Sequence, residues 1–206
     1  MSLNKPILKL RDWIDVNILD WDMLSFNPNA IKLLEDNKDK INWYNLPENK
    51  NAIDLLKANQ EKIIWRYLSL NPNAIKLIKE NPDKIVWYNL SGNKNAIDLL
   101  KKNPDKINWS NLSGNKNAIH LLEENQDKID WESLSKNKNA IDLLKANQDN
   151  IDWFYISANP SIFELDYEKM RENNQEMYED LIKEVMKPSR VFKNPEYDYL
   201  EELFGD

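Results

Sequence analysis

Seven tryptophans, Trp21, Trp43, Trp65, Trp87, Trp109, Trp131 and Trp153, follow one another at intervals of 22 residues. Only Trp13 stands off this grid. Two more rows keep the same period: Asn27, Asn49, Asn71, Asn93, Asn115, Asn137 and Asn159, and Leu24, Leu46, Leu68, Leu90, Leu112 and Leu134, closed by Ile156. A fixed period of this length marks a solenoid, because each unit is too small to bury its apolar face alone and buries it against its neighbours. A length of 206 residues would otherwise suggest one or two globular domains. The period overrules that expectation.

Composition decides what the units are made of. The chain contains no Thr and four Val, so strands, which favour β-branched residues, are not expected. That argues against a leucine-rich repeat, whose units span a similar length but carry a strand. The segment Asn27-Pro28-Asn29-Ala30-Ile31-Lys32-Leu33-Leu34 instead reads as a helix start. Asn27 is the expected N-cap and Pro28 the first helical residue, repeated at Pro72 and Pro160. Ala30, Ile31, Leu33 and Leu34 supply the buried stripe of a helix of about nine residues. Asn37, Asn59, Asn81, Asn103, Asn125 and Asn147 fall where a left-handed residue would end it. The remaining part of the unit, with Trp43 and Leu46 one turn apart, predicts a short α or 3₁₀ turn capped by residues such as Asn42, Asn108, Asp130 and Asp152. The expected fold is therefore all-α, a right-handed solenoid of 22-residue repeats with helical caps. Residues 1–20 form the N-terminal cap, 21–158 the array and 159–206 an acidic helical C-terminal cap. Within that cap a longer helix is expected from Tyr167 to Met186. A last short helix carries the stripe Tyr197, Leu200, Leu203 and Phe204, folding back as a lid.

Charge is distributed unevenly. Residues 21–158 carry 19 basic and 19 acidic side chains, whereas 159–206 carry 6 basic against 13 acidic, which accounts for the net −7. A neutral array with an acidic end is not the footprint of a nucleic-acid binder, whose affinity comes largely from phosphate neutralisation. No apolar run approaches the roughly 20 residues of a membrane span, and the N-terminus has no signal-peptide core. A soluble cytoplasmic protein is expected.

The phrases Lys-Leu-Arg-Asp-Trp-Ile at 9–14, Asn-Pro-Asn-Ala-Ile-Lys-Leu-Leu at 27–34 and Asp-Lys-Ile-Asn-Trp at 39–43 carry a family resemblance. So do Asn-Pro-Ser-Ile-Phe-Glu-Leu-Asp-Tyr at 159–167 and Lys-Pro-Ser-Arg-Val at 187–191. Together they resemble the Asn-rich tandem-repeat proteins of giant DNA viruses of the Mimivirus kind. The resemblance covers nearly the whole chain. It implies a viral origin and action in the cytoplasm of an infected host cell, and it brings no catalytic motif with it.

Chemistry-bearing residues are few. With no Cys and one His, the chain offers no disulfide framework, no thiolate metal site and no cysteine nucleophile. His120 occupies an outward slot shared with Lys32, Asp54, Lys76, Asp98 and Asp142, which predicts a charge ladder between repeats rather than a catalytic or metal site. Gly92 and Gly114 are isolated in Ser-Gly-Asn turns and build no phosphate loop. The row Lys40, Lys62, Lys84, Lys106 and Lys128 is neutralised by the acid before each lysine and reads as a solvated edge. The Trp and Asn ladders read as core and as caps. No enzyme, cofactor or metal is expected. The two positions after each Trp vary while the rest of the repeat is held fixed, and they place Tyr44, Arg66, Tyr67, Tyr88, Phe154 and Tyr155 on one stripe. Tyr and Arg are frequent binding hot spots, so this stripe is the candidate surface for a protein partner. The expected function is a non-enzymatic protein–protein interaction scaffold. The alternatives are a repeat protein reading single-stranded RNA and a structural virion component.

Overall fold

The structure is a computed structural model that describes residues 8–187. Among them every regular element is helical, and the 22-residue pattern recurs from Trp21 to Ile162. The chain divides into two compact units, residues 1–162 and 163–206. The first holds the array, including the Asn159 rung and the 3₁₀ turn Pro160–Ile162. The second contains the helix Tyr167–Val185, which begins on an Asp166 side chain accepting from the Lys169 N–H and stands where the sequence placed it. The proposed lid with Tyr197, Leu200, Leu203 and Phe204 lies outside the described residues, as does most of the Lys187–Val191 element.

Each repeat is built from three short pieces rather than two. A Trp helix of four to six residues, such as Trp109–Ser113, comes first. An Ile helix follows, such as Ile119–Glu123, and then a 3₁₀ turn, such as Gln126–Lys128. The Ile helix is shorter than expected. It starts at Ile31 with Ala30 at its N-cap and no side-chain cap bond, so Asn27 does not cap it and Pro28 is not its first residue. Asn27-Pro28-Asn29-Ala30 is a separate turn, closed by the Ala30 N–H donating to the Asn27 carbonyl at 3.0 Å. Proline suits its second position because the ring presets φ. The terminal Asn residues are corrected too. Asn37 has φ −134° rather than a left-handed φ, and it ends the helix by donating its side-chain amide to the Leu33 carbonyl four residues back. The predicted caps of the Trp helix do form: Asn108 and Asp130 accept from the third residue of their own helices.

The buried column is leucine and alanine, not tryptophan. Leu46, Leu68, Leu90, Leu112 and Leu134 are fully buried, as are Leu34, Leu56, Leu100 and Leu122 from the Ile helices. Ala52, Ala74, Ala96, Ala118 and Ala140 are buried where a turn meets its neighbouring repeat. The Trp residues pack against this core half-buried, and Trp153 is 67% exposed. Their outer faces are covered by the lysine row that the sequence left in solvent. Lys40, Lys62, Lys106 and Lys128 hold their ammonium groups 4.6–5.0 Å from the ring centres of Trp21, Trp43, Trp87 and Trp109. The attraction is between the ring quadrupole and the cation, worth about 0.5–1 kcal/mol at exposed sites. Trp131 has Asn150 at the matching place and so has no such cation.

Two buried polar ladders fix the register between repeats. Asn115 donates its side-chain amide to the Ser91 and Asn93 carbonyls of the preceding repeat, both at 3.0 Å, while its side-chain oxygen accepts from Asn117 N–H. Asn49, Asn71, Asn93, Asn137 and Asn159 repeat this arrangement. Only a short side chain with two N–H donors and an acceptor can fill that place, which is why the row is Asn throughout. The second ladder is serine. Ser113 donates to the Trp109 carbonyl at 2.8 Å and accepts from the Asp130 N–H of the next repeat at 3.0 Å. Ser25, Ser69, Ser91 and Ser135 act likewise. Pro47 stands in this row without a hydroxyl or an N–H, and there the Trp helix is replaced by the 3₁₀ turn Leu46–Glu48. Ser113→Ala should therefore cost about 1–3 kcal/mol, since it strands the buried Asp130 N–H. Urea unfolding would measure the loss, and an unchanged midpoint would mean that this hydroxyl bridges nothing of consequence.

The anticipated charge ladder between repeats is not formed at His120. Its ring is exposed and its Nδ1 lies 3.1 Å from Glu123 of its own helix. Lys32 likewise pairs within its helix, with Asp36 at 2.8 Å, and that hydrogen bond raises its pKa. Helical side chains three or four residues apart meet more readily than the equivalent side chains of stacked repeats.

Candidate functional site

The Trp helices stack directly on one another along the array. Their first position after the Trp points outward. The second lies closer in and reaches back to the first position of the preceding repeat, so the expectation that both are free is corrected. Tyr67 and Tyr155 are half-buried, and Asn89 is buried. The contacts run 23 residues apart: Asn45 donates to the Asp22 carbonyl, Asn111 to the Tyr88 carbonyl, and the Ser110 and Ser133 hydroxyls lie 3.3 Å apart.

At one end of the row this register joins Tyr44 and Tyr67. Their rings meet edge to face at 4.7 Å and their hydroxyls hydrogen-bond. That hydrogen bond raises the Tyr67 pKa, because ionisation would remove the proton it shares with Tyr44. The Arg66 guanidinium lies 5.7 Å from the Tyr67 ring centre. Tyr88 is 61% exposed one repeat further on, with no ring contact to the pair. Three of the six candidate residues are thus assembled and a fourth adjoins them in the stack.

Phe154 and Tyr155 are not brought to that cluster. Ser110, Asn111, Glu132 and Ser133 intervene, so the stripe is two aromatic patches separated by short polar side chains. At the far patch Phe154 is 80% exposed and its ring packs edge to face on Tyr155 at 5.0 Å. Lys136 sits 3.5 Å from the Tyr155 ring centre and 2.9 Å from Glu132, the latter hydrogen bond raising its pKa. Trp153 adds a further exposed ring beside this patch, a residue the sequence assigned to the core. Its signal was its place as the last of the row, with no following repeat to supply a lysine.

Chemically both patches are contact surfaces: aromatic faces held by edge contacts, with one cation each. Among the described residues no group of three or more His, Asp and Glu is placed to hold a metal ion, and no helix is long and apolar enough to cross a membrane. Fold and surface together define a helical tandem-repeat protein. Comparison of the chain with protein-family models, with curated proteins and with solved structures returns no match in any of the three.

Proposed function

We propose that the chain is a non-enzymatic scaffold that binds a protein partner along the row following the tryptophans, chiefly at Tyr44, Arg66, Tyr67 and Tyr88. The observation carrying this reading is the contrast within each repeat. The Asn and Ser ladders are fully used in holding neighbours together, while the residue after each Trp is exposed and changes from Tyr to Arg to Ser to Glu to Phe. A framework that fixes the backbone and leaves one row free suits recognition by side-chain identity. Preformed aromatic edges next to a guanidinium match the residues that dominate protein interfaces, and their mutual packing reduces the ordering cost of binding. Phe154 and Tyr155 form a second, separate contact patch in this reading. The family resemblance supports a viral scaffold working in the host cytoplasm.

The test is retention of host-cell proteins on immobilised protein, native against a Tyr67→Ala/Tyr88→Ala double variant. The expected result is a partner held by the native chain and weakened about 30-fold or more by the double change, two hot-spot truncations being worth at least that. The melting temperature should stay nearly constant, because neither ring is in the core. Equal retention by both proteins would remove the row from consideration. Retention abolished by ribonuclease would transfer the reading to RNA.

A further inference from the structure

The turn between the Trp and Ile helices carries a second row, Pro28, Lys50, Pro72, Lys94, Lys116, Lys138 and Pro160, again 22 residues apart. Three consecutive lysines of this row line a groove of about 510 Å³ that crosses repeats, and Pro72 lies at its edge. No acidic side chain lines it. Lys94, Lys116 and Lys138 form no ion pair, in contrast to Lys57 and Lys136 nearby, and their backbone N–H groups donate to no acceptor in the protein. Each rung therefore presents an unpaired ammonium and a second unpaired N–H. Proline at 72 and 160 has neither, so the row is bounded on both sides.

The glycines at 92 and 114 open this groove. Neither has a positive φ, at −81° and −78°, and a Cβ built at either would meet only ordinary contacts of 3.5 Å or more. The matching place elsewhere holds Phe26, Glu48, Leu70, Lys136 and Ala158. Neither backbone nor packing demands glycine there, and what glycine supplies is space beside the lysines.

We propose that Lys94, Lys116 and Lys138 are a three-rung site for an extended acidic peptide segment, one carboxylate at each rung. Stacked helices lie about 8–10 Å apart, which sets the spacing of the rungs. A polyproline II segment returns to the same face every three residues, a step of about 9 Å. A β-strand returns every two residues, a step of about 7 Å, and does not match. The preferred ligand thus carries Asp or Glu at every third position. Single-stranded nucleic acid is disfavoured because no aromatic side chain lines the groove to stack a base. This site shares no residue with the aromatic row and does not rest on the scaffold reading.

Fluorescence anisotropy of labelled synthetic peptides on the full chain tests it. The peptides carry Glu at every third position of a proline-rich sequence, the same Glu at every second position, or Gln in place of Glu; an oligouridine of similar length completes the set. The every-third peptide should bind best, and added salt should weaken it by screening. The triple change Lys94→Pro/Lys116→Pro/Lys138→Pro should weaken it about 10-fold to 100-fold, the sum of three exposed ion pairs. That variant should keep its fold, since proline already occupies this place in other repeats and the preceding Asn27 and Asn49 have the extended backbone that proline favours. Gly114→Glu, with the residue already present at 48, should also weaken binding by placing a carboxylate in the groove. Tyr67→Ala/Tyr88→Ala should leave binding unchanged. Equal binding of all Glu spacings, undiminished binding by the proline variant, tighter binding of oligouridine, or loss in the tyrosine variant would each overturn the proposal.

Discussion

Asn115→Asp, a change of one side-chain group at nearly constant volume, is expected to unfold most of the protein under conditions where the native chain is stable. Asn115 is 2% exposed, and both of its amide N–H donors are used on carbonyls of the preceding repeat. A carboxylate there leaves the Ser91 and Asn93 carbonyls without donors and faces them with negative charge. Two stranded buried groups at about 1–3 kcal/mol each, with the burial of a charge added, give a loss of about 4 kcal/mol or more. That is a large share of a typical domain's stability. Part of the loss should be recovered in acid, where a protonated carboxyl can donate to one of the two carbonyls. Asn27→Asp provides the comparison. Asn27 belongs to the same row but is exposed, and its side chain only accepts, from the Asn29 N–H at 2.9 Å. An aspartate oxygen accepts equally well, so the change should be nearly neutral. Urea midpoints for both variants at neutral and acidic pH measure the contrast, and equal costs at the two positions would refute a ladder held by donors.

The repeat, the all-helical class and the identity of the rows were legible because period alone reveals them, and a solenoid has little else to specify. What the rows do was less legible, for a reason specific to stacks. The partners of Asn115 lie 22 and 24 residues away, in the neighbour, while the sequence offers a plausible partner two or three residues on. Local reading therefore made the Asn row into N-caps and stretched the Ile helix back to include it. The serine row was equally periodic, but a hydroxyl that donates to its own helix and accepts from the next repeat has no local signature.

The same limit applied to charge. Reading Asp39 against Lys40 as neighbours cancels them, whereas in the fold Lys40 reaches the Trp21 ring of the preceding repeat. At the candidate surface, the exposed residues after each Trp were found because they vary against a constant background. Their division into two patches was not, because it depends on the inward second position bridging to the preceding repeat. Lys94, Lys116 and Lys138 were also visible as a row. Their lack of partners and the groove beside them emerge only in three dimensions.

A graded series should separate the leucine core from the tryptophan row. Leu90 is fully buried, so Leu90→Ala removes apolar contacts with neighbours on both sides and leaves a cavity, at about 3–5 kcal/mol. Trp87 is larger but half-buried, with the Lys106 ammonium over its ring at 5.0 Å. Removing roughly 100 Å² of buried apolar surface and one exposed cation–π contact should cost about 2–3 kcal/mol. Trp153 is 67% exposed and carries no lysine, so Trp153→Ala should cost less than about 1 kcal/mol. A wholly internal tryptophan column would instead make the two Trp changes equal and both larger than the leucine change. Denaturant midpoints of the three variants decide between these orders. Fluorescence gives an independent reading. Loss of Trp153 should remove emission characteristic of a solvated indole, whereas loss of Trp87 should remove emission from a partly shielded one. Should Trp153→Ala prove as costly as Trp87→Ala, the half-buried, lysine-covered arrangement of the row is wrong.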